Sequence, residues 1–470
     1  MPELPRHPRP DPRHVADRDG FTALLIELWR VAGVGVPELA ARTKLHRNSL
    51  YDYRSGRHLP NTDALRTILA ACGVTGELEI QAWRDAVGRA KRAEPPRYVS
   101  PAAQICGELT GRLDATAERE LDVLAVGAHN MDLLTQVERI DTEHEEEIQE
   151  QRHCCGGSGA NTMAALAGMG LRTGVAGIVA DDHYGKAILA DLRHRGVNTD
   201  LMLTTYAEQT GFGIVLAERS GARSIYVCSG ANRRFAEEAE AKGLDAELVA
   251  ASARARVLHL TSFAGAAERR LQRRMLDAVS PGSVVSFTPG ELYAALGADQ
   301  LGPMLTRTNV LFLQEPHLDL LLARSSAGRH GRGEVAAKMA ALYEWRHQRA
   351  SAEPLIMVVT QPPNLLSGRL AEYLTIGYGR STLEECSGAD IGTRRHELTD
   401  GTGAGDALAA GFLFGLLSRC SPADCGNLAL LLALCACTEL GARAGLINRA
   451  QLAAQWTTRL GIPRLPPQLG

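Results

Sequence analysis

The chain has 470 residues, a net charge of -3, 22% charged and 45% hydrophobic residues, the mix of a soluble globular protein with room for two or more domains. The longest apolar runs, near 407–417 and 429–437, fall short of the ~18 residues of a membrane span and read as buried helices. The Pro- and Arg-rich start lacks the apolar core of a secretory signal, and the ten cysteines include no C-x-x-C pair, so reduced thiols in a cytoplasmic protein and no zinc framework are expected.

Charge is uneven along the chain. Residues 1–100 hold 16 Lys and Arg against 12 Asp and Glu, while the remainder holds 35 against 42. A mildly basic head on an acidic body points to an anionic partner for the head. Residues 1–19, rich in Pro, Arg, Asp and His, read as a disordered tail. Residues 20–92 carry helical periodicity, beginning with Phe21, Leu24, Leu25 and Leu28. A second helix starts with Pro37 in its first turn, a third covers 47–54, and Asn61 or Thr62 caps a fourth through Leu65, Ile68 and Leu69. A fifth runs over 78–90.

Two short helices joined by a tight turn, followed by S-G-R-H-L-P, resemble the helix-turn-helix of Cro/repressor-type DNA-binding domains. The resemblance implies that helix 47–54 enters the major groove of double-stranded DNA. Leu45, Leu50 and Tyr53 would face inward. Arg47, Asn48, Ser49, Tyr51 and Arg54 would face DNA, with Arg57 on a phosphate.

Residues 93–118, opening A-E-P-P-R-Y, read as a linker with irregular or short helical structure. Then the period changes. Asp122–Gly127 is a short apolar run ending in Gly, a buried strand, and Asp132 follows it. A carboxylate at that end of a parallel strand lies where open α/β sheets bind ligands. The acidic stretch 141–147 reads as a solvated turn. Gly156-Gly157-Ser158-Gly159-Ala160-Asn161 is a loop that lets backbone approach a ligand, followed by a helix of small residues. Further strands are expected at 175–179, 211–215, 224–227, 257–260, 284–287, 310–313 and 356–359. Strands alternating with helices imply a mostly parallel sheet covered on both faces, an α/β fold.

Residues 399–412 read T-D-G-T-G-A-G-D-A-L-A-A-G-F. Three glycines let the backbone turn sharply, and a helix starts near Ala404. Its free amides and dipole favour an anion. Asp406, in the first helical turn, is placed to take a proton from a hydroxyl that attacks a phosphoryl group.

D-G-T-G-A-G-D followed by A-x-A-A-G-F resembles the D-T-x-G-A-G-D signature of the ribokinase-like (PfkB) carbohydrate and nucleoside kinases. G-G-S-G-A-N-T resembles the same family's G-G-x-x-x-N-x-A, and Gly127, Asn130 and Asp132 match its G-x-x-N-x-D. The resemblance spans about 119–463. It implies a ribokinase-like three-layer sandwich with a small β-lid at about 133–155 and 209–230, preceded by the all-α head. It implies transfer of the γ-phosphoryl of ATP, with Mg²⁺, to a sugar or nucleoside hydroxyl. Asp406 would be the base, with Gly403, Ala404 and Gly405 as the anion hole. Asn130, Asp132, Gly156, Gly157 and Asn161 would bind the acceptor, and Thr360, Asp400, Thr402 and Gly403 the nucleotide. A homodimer is compatible with this layout.

Two segments depart from the family. Where it has N-x-x-E, whose Glu helps hold Mg²⁺, this chain has Gln314-Glu315-Pro316-His317, leaving Glu315 as the metal candidate. Where it has a Gly-containing nucleotide loop, this chain has Gln361-Pro362-Pro363-Asn364, and proline has no N–H to offer a phosphate. These changes keep open an alternative: a transcriptional regulator whose kinase-like domain senses a sugar, nucleoside or nucleotide.

Overall fold

The computed structural model describes residues 10–15, 18–54, 58–92, 101–140, 145, 148, 151–218, 223–325, 335–349, 351, 353–361, 373–379, 382–387, 399–460 and 465–469. The chain divides into two compact units, Met1–Ser100 and Pro101–Gly470.

Among its described residues the first unit holds five α-helices, Arg18–Val31, Val36–Thr43, Arg47–Arg54, Thr62–Ala71 and Glu77–Arg92. Asn61 caps the fourth, its side chain accepting from the Ala64 amide at 2.8 Å. Lys44 ends the second in the left-handed conformation, φ 59°. Phe21, Leu25, Leu39, Leu50, Ile68 and Trp83 form the core, with the Phe21 ring edge-on to Trp83 at 5.9 Å. Burying each such side chain stabilises by about 1.5–3 kcal/mol. Leu50 faces inward as expected, but Tyr51 also packs partly against this core. Tyr51 directly follows Leu50 and, like Tyr53, is partly buried against the same core.

The second unit starts earlier than the periodicity at 121 indicated. Pro101–Ala115, within the segment read as linker, is a helix whose Ala102, Cys106, Leu109 and Leu113 are buried. Their spacing of four, three and four residues is one helical stripe, obscured in the sequence by Gly107 and Gly111.

Thirteen strands follow among the described residues: β1 (Leu121–Val126), β2 (Asn130–Val137), β3 (Gln151–Cys155), β4 (Thr173–Ala180), β5 (Asn198–Thr205), β6 (Gly211–Glu218), β7 (Arg223–Cys228), β8 (Ala255–Thr261), β9 (Val284–Thr288), β10 (Val310–Gln314), β11 (Ile356–Gln361), β12 (Tyr373–Tyr378) and β13 (Thr382–Ser387). Nine form one sheet, ordered β13-β12-β11-β10-β9-β8-β1-β4-β5. Only the β11–β12 and β12–β13 pairings in it are antiparallel. Alternate residues of the parallel strands enter opposite cores. Val123, Val257, Val310 and Ile356 pack with helices Ala404–Leu417 and Pro422–Ala436. Leu124, Leu258, Leu311 and Met357 pack with helices Ala266–Asp277 and Val335–His347. This is a ribokinase-like three-layer α/β fold, and burial on both faces explains the unbroken apolar runs.

The remaining four strands form a small separate sheet, β3-β2-β6-β7. It falls where the sequence placed a lid, although the turn at Ser220-Gly221 lies outside the described residues. After β1 the chain builds β4 and β5 on one side, and β8 to β11 on the other. Ligands of open α/β sheets bind where the strand order reverses in this way.

Candidate functional site

Helix Ala404–Leu417 begins at Gly403, whose backbone is left-handed at φ 78°. A β-carbon there would lie 2.7 Å from that of Ala442, so only glycine fits both the torsion and the space. Asp400 braces the loop. Its Oδ1 accepts from the Thr402 amide at 2.9 Å and the Thr402 hydroxyl at 2.8 Å, and its Oδ2 accepts from the Gly441 amide at 2.9 Å. Asp400 and Thr402, two of the four residues expected at the nucleotide, thus help shape the turn itself. Ala404 donates weakly to Gly401 O at 3.3 Å, while the first-turn amides as a group lack intrahelical acceptors. A β-carbon on Gly405 would meet open space.

Asp406 sits in that first turn. Its carboxylate accepts from Ser158 Oγ at 2.5 Å and Asn161 Nδ2 at 2.8 Å. Burial pushes its pKa up to about 6, against the pull of those two hydrogen bonds and of Arg443. A carboxyl poised there suits general-base work near neutral pH.

Asp132, on β2, lies across from Cys154 of β3 and faces Gly156. A β-carbon on Gly156 would collide with Asp132 Oδ2, so this glycine is required for the carboxylate to lie flat against the loop. Burial raises the Asp132 pKa to about 7; Arg443 opposes the rise and Asp406 and Asp400 add to it. Gly157 caps the helix Ser158–Gly168 at φ 100°. Asn130 Oδ1 accepts from Asn232 Nδ2 at 2.9 Å, and Asn232 also binds both backbone groups of His129. Asn130 is therefore held in place by the turn that follows β7.

Both ends of the Asn161 carboxamide are engaged within the protein. Its Nδ2 donates to Asp406 and its Oδ1 accepts from Arg443 Nε at 2.7 Å. Sequence reasoning passed over Arg443, which is 4% exposed. The available signal was an arginine between small residues, G-A-R-A-G, directly after a buried apolar helix. It also left Ser158 unassigned inside a motif it had quoted.

Glu315, the metal candidate, is held by protein donors. Its Oε1 accepts from Lys338 Nζ at 2.8 Å and its Oε2 from Gln361 Nε2 at 3.3 Å. Lys338 is buried and also pairs with Asp319 at 2.8 Å. A cation at Glu315 would share the carboxylate with the Lys338 ammonium. Among the described residues, no group of three or more His, Cys, Asp or Glu side chains could hold a metal ion. Thr360 lies at the end of β11, its hydroxyl 3.4 Å from Leu313 O. Pro362, Pro363 and Asn364 lie outside the described residues.

In the first unit, Arg47, Ser49, Tyr51 and Arg54 lie on one short helix and are each partly buried. The Asn48 side chain and all of Arg57 lie outside the described residues. No described helix is long and apolar enough to cross a membrane.

Residues 120–345 and 387–449 match the family model for "pfkB family carbohydrate kinase". An uncharacterized sugar kinase of Archaeoglobus fulgidus is 26% identical over 285 residues, 60% of this chain and 97% of that protein. The ATP-dependent ribose-1-phosphate kinase of Halopiger xanaduensis is 32% identical over 203 residues, 43% of this chain and 64% of that protein. The structure of Burkholderia thailandensis nucleoside kinase in complex with inosine is similar in fold, with a TM-score of 0.56 at 16% identity, covering 72% of this chain and 99% of that one.

Proposed function

Because the chain belongs to the pfkB family of carbohydrate kinases, we propose that it transfers the γ-phosphoryl group of ATP to a hydroxyl of a sugar or nucleoside, with Asp406 as general base. The observation that carries this reading is the setting of Asp406. It lies in the first turn of a helix whose N-terminus favours an anion, hydrogen-bonded to Ser158 and Asn161, with its pKa raised to about 6. In the reaction, Asp132 and Asn130 hold the acceptor from the small sheet. Asp406 takes the proton of the attacking hydroxyl as its oxygen bonds to the γ-phosphorus and the bond from that phosphorus to the bridging oxygen of the β-phosphate breaks, releasing ADP. The Gly403–Gly405 amides face the charge on the transferring group. The small sheet excludes water, which otherwise competes as acceptor.

The test is ATP consumption across a panel of sugars and nucleosides, beside Asp406→Asn. Turnover with one acceptor, lost in the variant, supports the kinase and names its substrate class. Absence of turnover with every acceptor, together with thermal stabilisation by one of them, supports the sensing reading. The engagement of Glu315 by Lys338 and Gln361 is the observation that favours that second reading.

The first unit adds a further proposed activity, binding of double-stranded DNA through helix Arg47–Arg54. Two eight-residue helices joined through a left-handed Lys44 in a basic segment outside the family match support it. Binding to a DNA duplex measured by anisotropy should weaken steeply with added salt; salt-independent binding or none would count against it.

A further inference from the structure

Arg443 follows the turn at Gly441 and donates to three separate elements. Nε reaches Asn161 Oδ1 at 2.7 Å, Nη1 reaches Asp191 Oδ2 at 2.5 Å, and Nη2 reaches the Gly156 carbonyl at 2.9 Å. These partners lie on helix Ser158–Gly168, on helix His183–His194 and at the end of β3. We propose that Arg443 is a positioning residue of the phosphoryl-transfer site: its guanidinium fixes the Asn161 carboxamide that holds Asp406, and its charge offsets the two carboxylates Asp132 and Asp406. The proposal rests on Asp406 as the base.

The geometric half follows from hydrogen-bond polarity. A carboxamide has a donor end and an acceptor end. With Arg443 donating to Oδ1, only Nδ2 is presented to Asp406, so the amide cannot flip and turn its oxygen on the carboxylate. A planar fork serves three acceptors at fixed angles, which a lysine ammonium on a flexible stem does not reproduce. The same fork holds the Gly156 carbonyl, and Gly156 is the residue against which Asp132 lies. One side chain therefore sets the base and the acceptor-binding carboxylate together.

The electrostatic half follows from what surrounds them. The titratable neighbours are Asp400, the buried His129, and the thiols Cys154 and Cys155. Burial, with Arg443 nearby, holds His129 neutral, its pKa near 3, and burial pushes both thiols up. The cation that Asp132 and Asp406 both feel is Arg443. Asp191, shared with Arg195 at 2.9 Å, tempers that charge.

The experiment compares Arg443→Gln and Arg443→Lys with the natural protein in two readouts. The first is the pH profile of kcat and KM for the acceptor found in the panel. The second is the ¹³C NMR titration of the aspartate carboxyls, assigned with Asp132→Asn and Asp406→Asn. R443Q is expected to move the acidic limb of kcat/KM, and both carboxyl titrations, upward by roughly one to three pH units. R443K is expected to restore the titrations while kcat stays down on the order of 10², the loss of a misplaced base. Unmoved titrations in R443Q, or a natural kcat and KM in R443K, would overturn the proposal. If R443Q does not fold, R443K still decides, because a natural kcat and KM in it overturns the proposal. A protein without turnover would refute the kinase reading, and the NMR titrations would still judge Arg443.

Discussion

Asn161 donates to Asp406 at 2.8 Å with one end of its carboxamide while the other end is held by Arg443. On the proposed mechanism, the residue expected to bind the acceptor would also aim the base. Asn161→Ala is expected to lower kcat by about 10- to 100-fold with a smaller change in KM, because it removes positioning rather than the base. A change confined to KM would return Asn161 to acceptor binding.

Asp406→Asn removes the proton acceptor but keeps the size and one hydrogen-bond acceptor. Its kcat is expected to fall on the order of 10²–10⁴, with acceptor affinity little changed. Steady-state rates alongside calorimetric binding of the acceptor measure both, and equal rates for variant and natural protein would remove Asp406 from the base role.

The raised carboxyls have a signed consequence for stability. Burial raises the Asp132 pKa to about 7 and the Asp406 pKa to about 6, well above the ordinary carboxylate range. Between about pH 4 and 7 the folded protein therefore binds more protons than the unfolded chain, so their contribution to stability falls as pH rises. Asp132→Asn mimics the protonated form. It is expected to melt above the natural protein at about pH 8 and to lose that advantage near pH 4. Thermal melts across pH check this, and a melting difference independent of pH would show that Asp132 is not so perturbed.

The same shifts set the activity profile. Activity needs Asp406 ionised, so kcat/KM is expected to fall as pH drops below about 7, with apparent pKa values belonging to the coupled carboxylates rather than to either one. A flat profile between about pH 5 and 8 would contradict a base in this setting.

Lys338 joins Glu315 and Asp319 under the end of β10. Lys338→Met leaves two carboxylates without their cation and is expected to destabilise by roughly 1–3 kcal/mol in urea unfolding. Glu315→Gln is expected to lower stability while leaving the Mg²⁺ dependence of turnover unchanged. A large rise in the Mg²⁺ needed for half-activation would place Glu315 at the metal after all.

The α/β class, most of the parallel strands and the placing of Asp406 in the first turn of a helix were readable from the chain, because each rests on local pattern, whereas β5, β12 and β13 were not. Short apolar runs bounded by glycine mark strands buried on both faces, and D-G-T-G-A-G-D puts a carboxylate in the first turn of a helix whatever surrounds it. The length of the helix Pro101–Ala115 was not legible in a segment expected to be a linker with irregular or short helical structure, because Gly107 and Gly111 on its other face lower its helix propensity, and only its membership of the core shared with Phe412 and Leu428 shows which residues count. The partners of Asp406 were decided by tertiary structure alone. Arg443 lies 282 residues from Asn161, and Lys338 lies 23 from Glu315. Which polar group meets which across such distances depends on how helices dock on the sheet, and no spacing in the sequence encodes it.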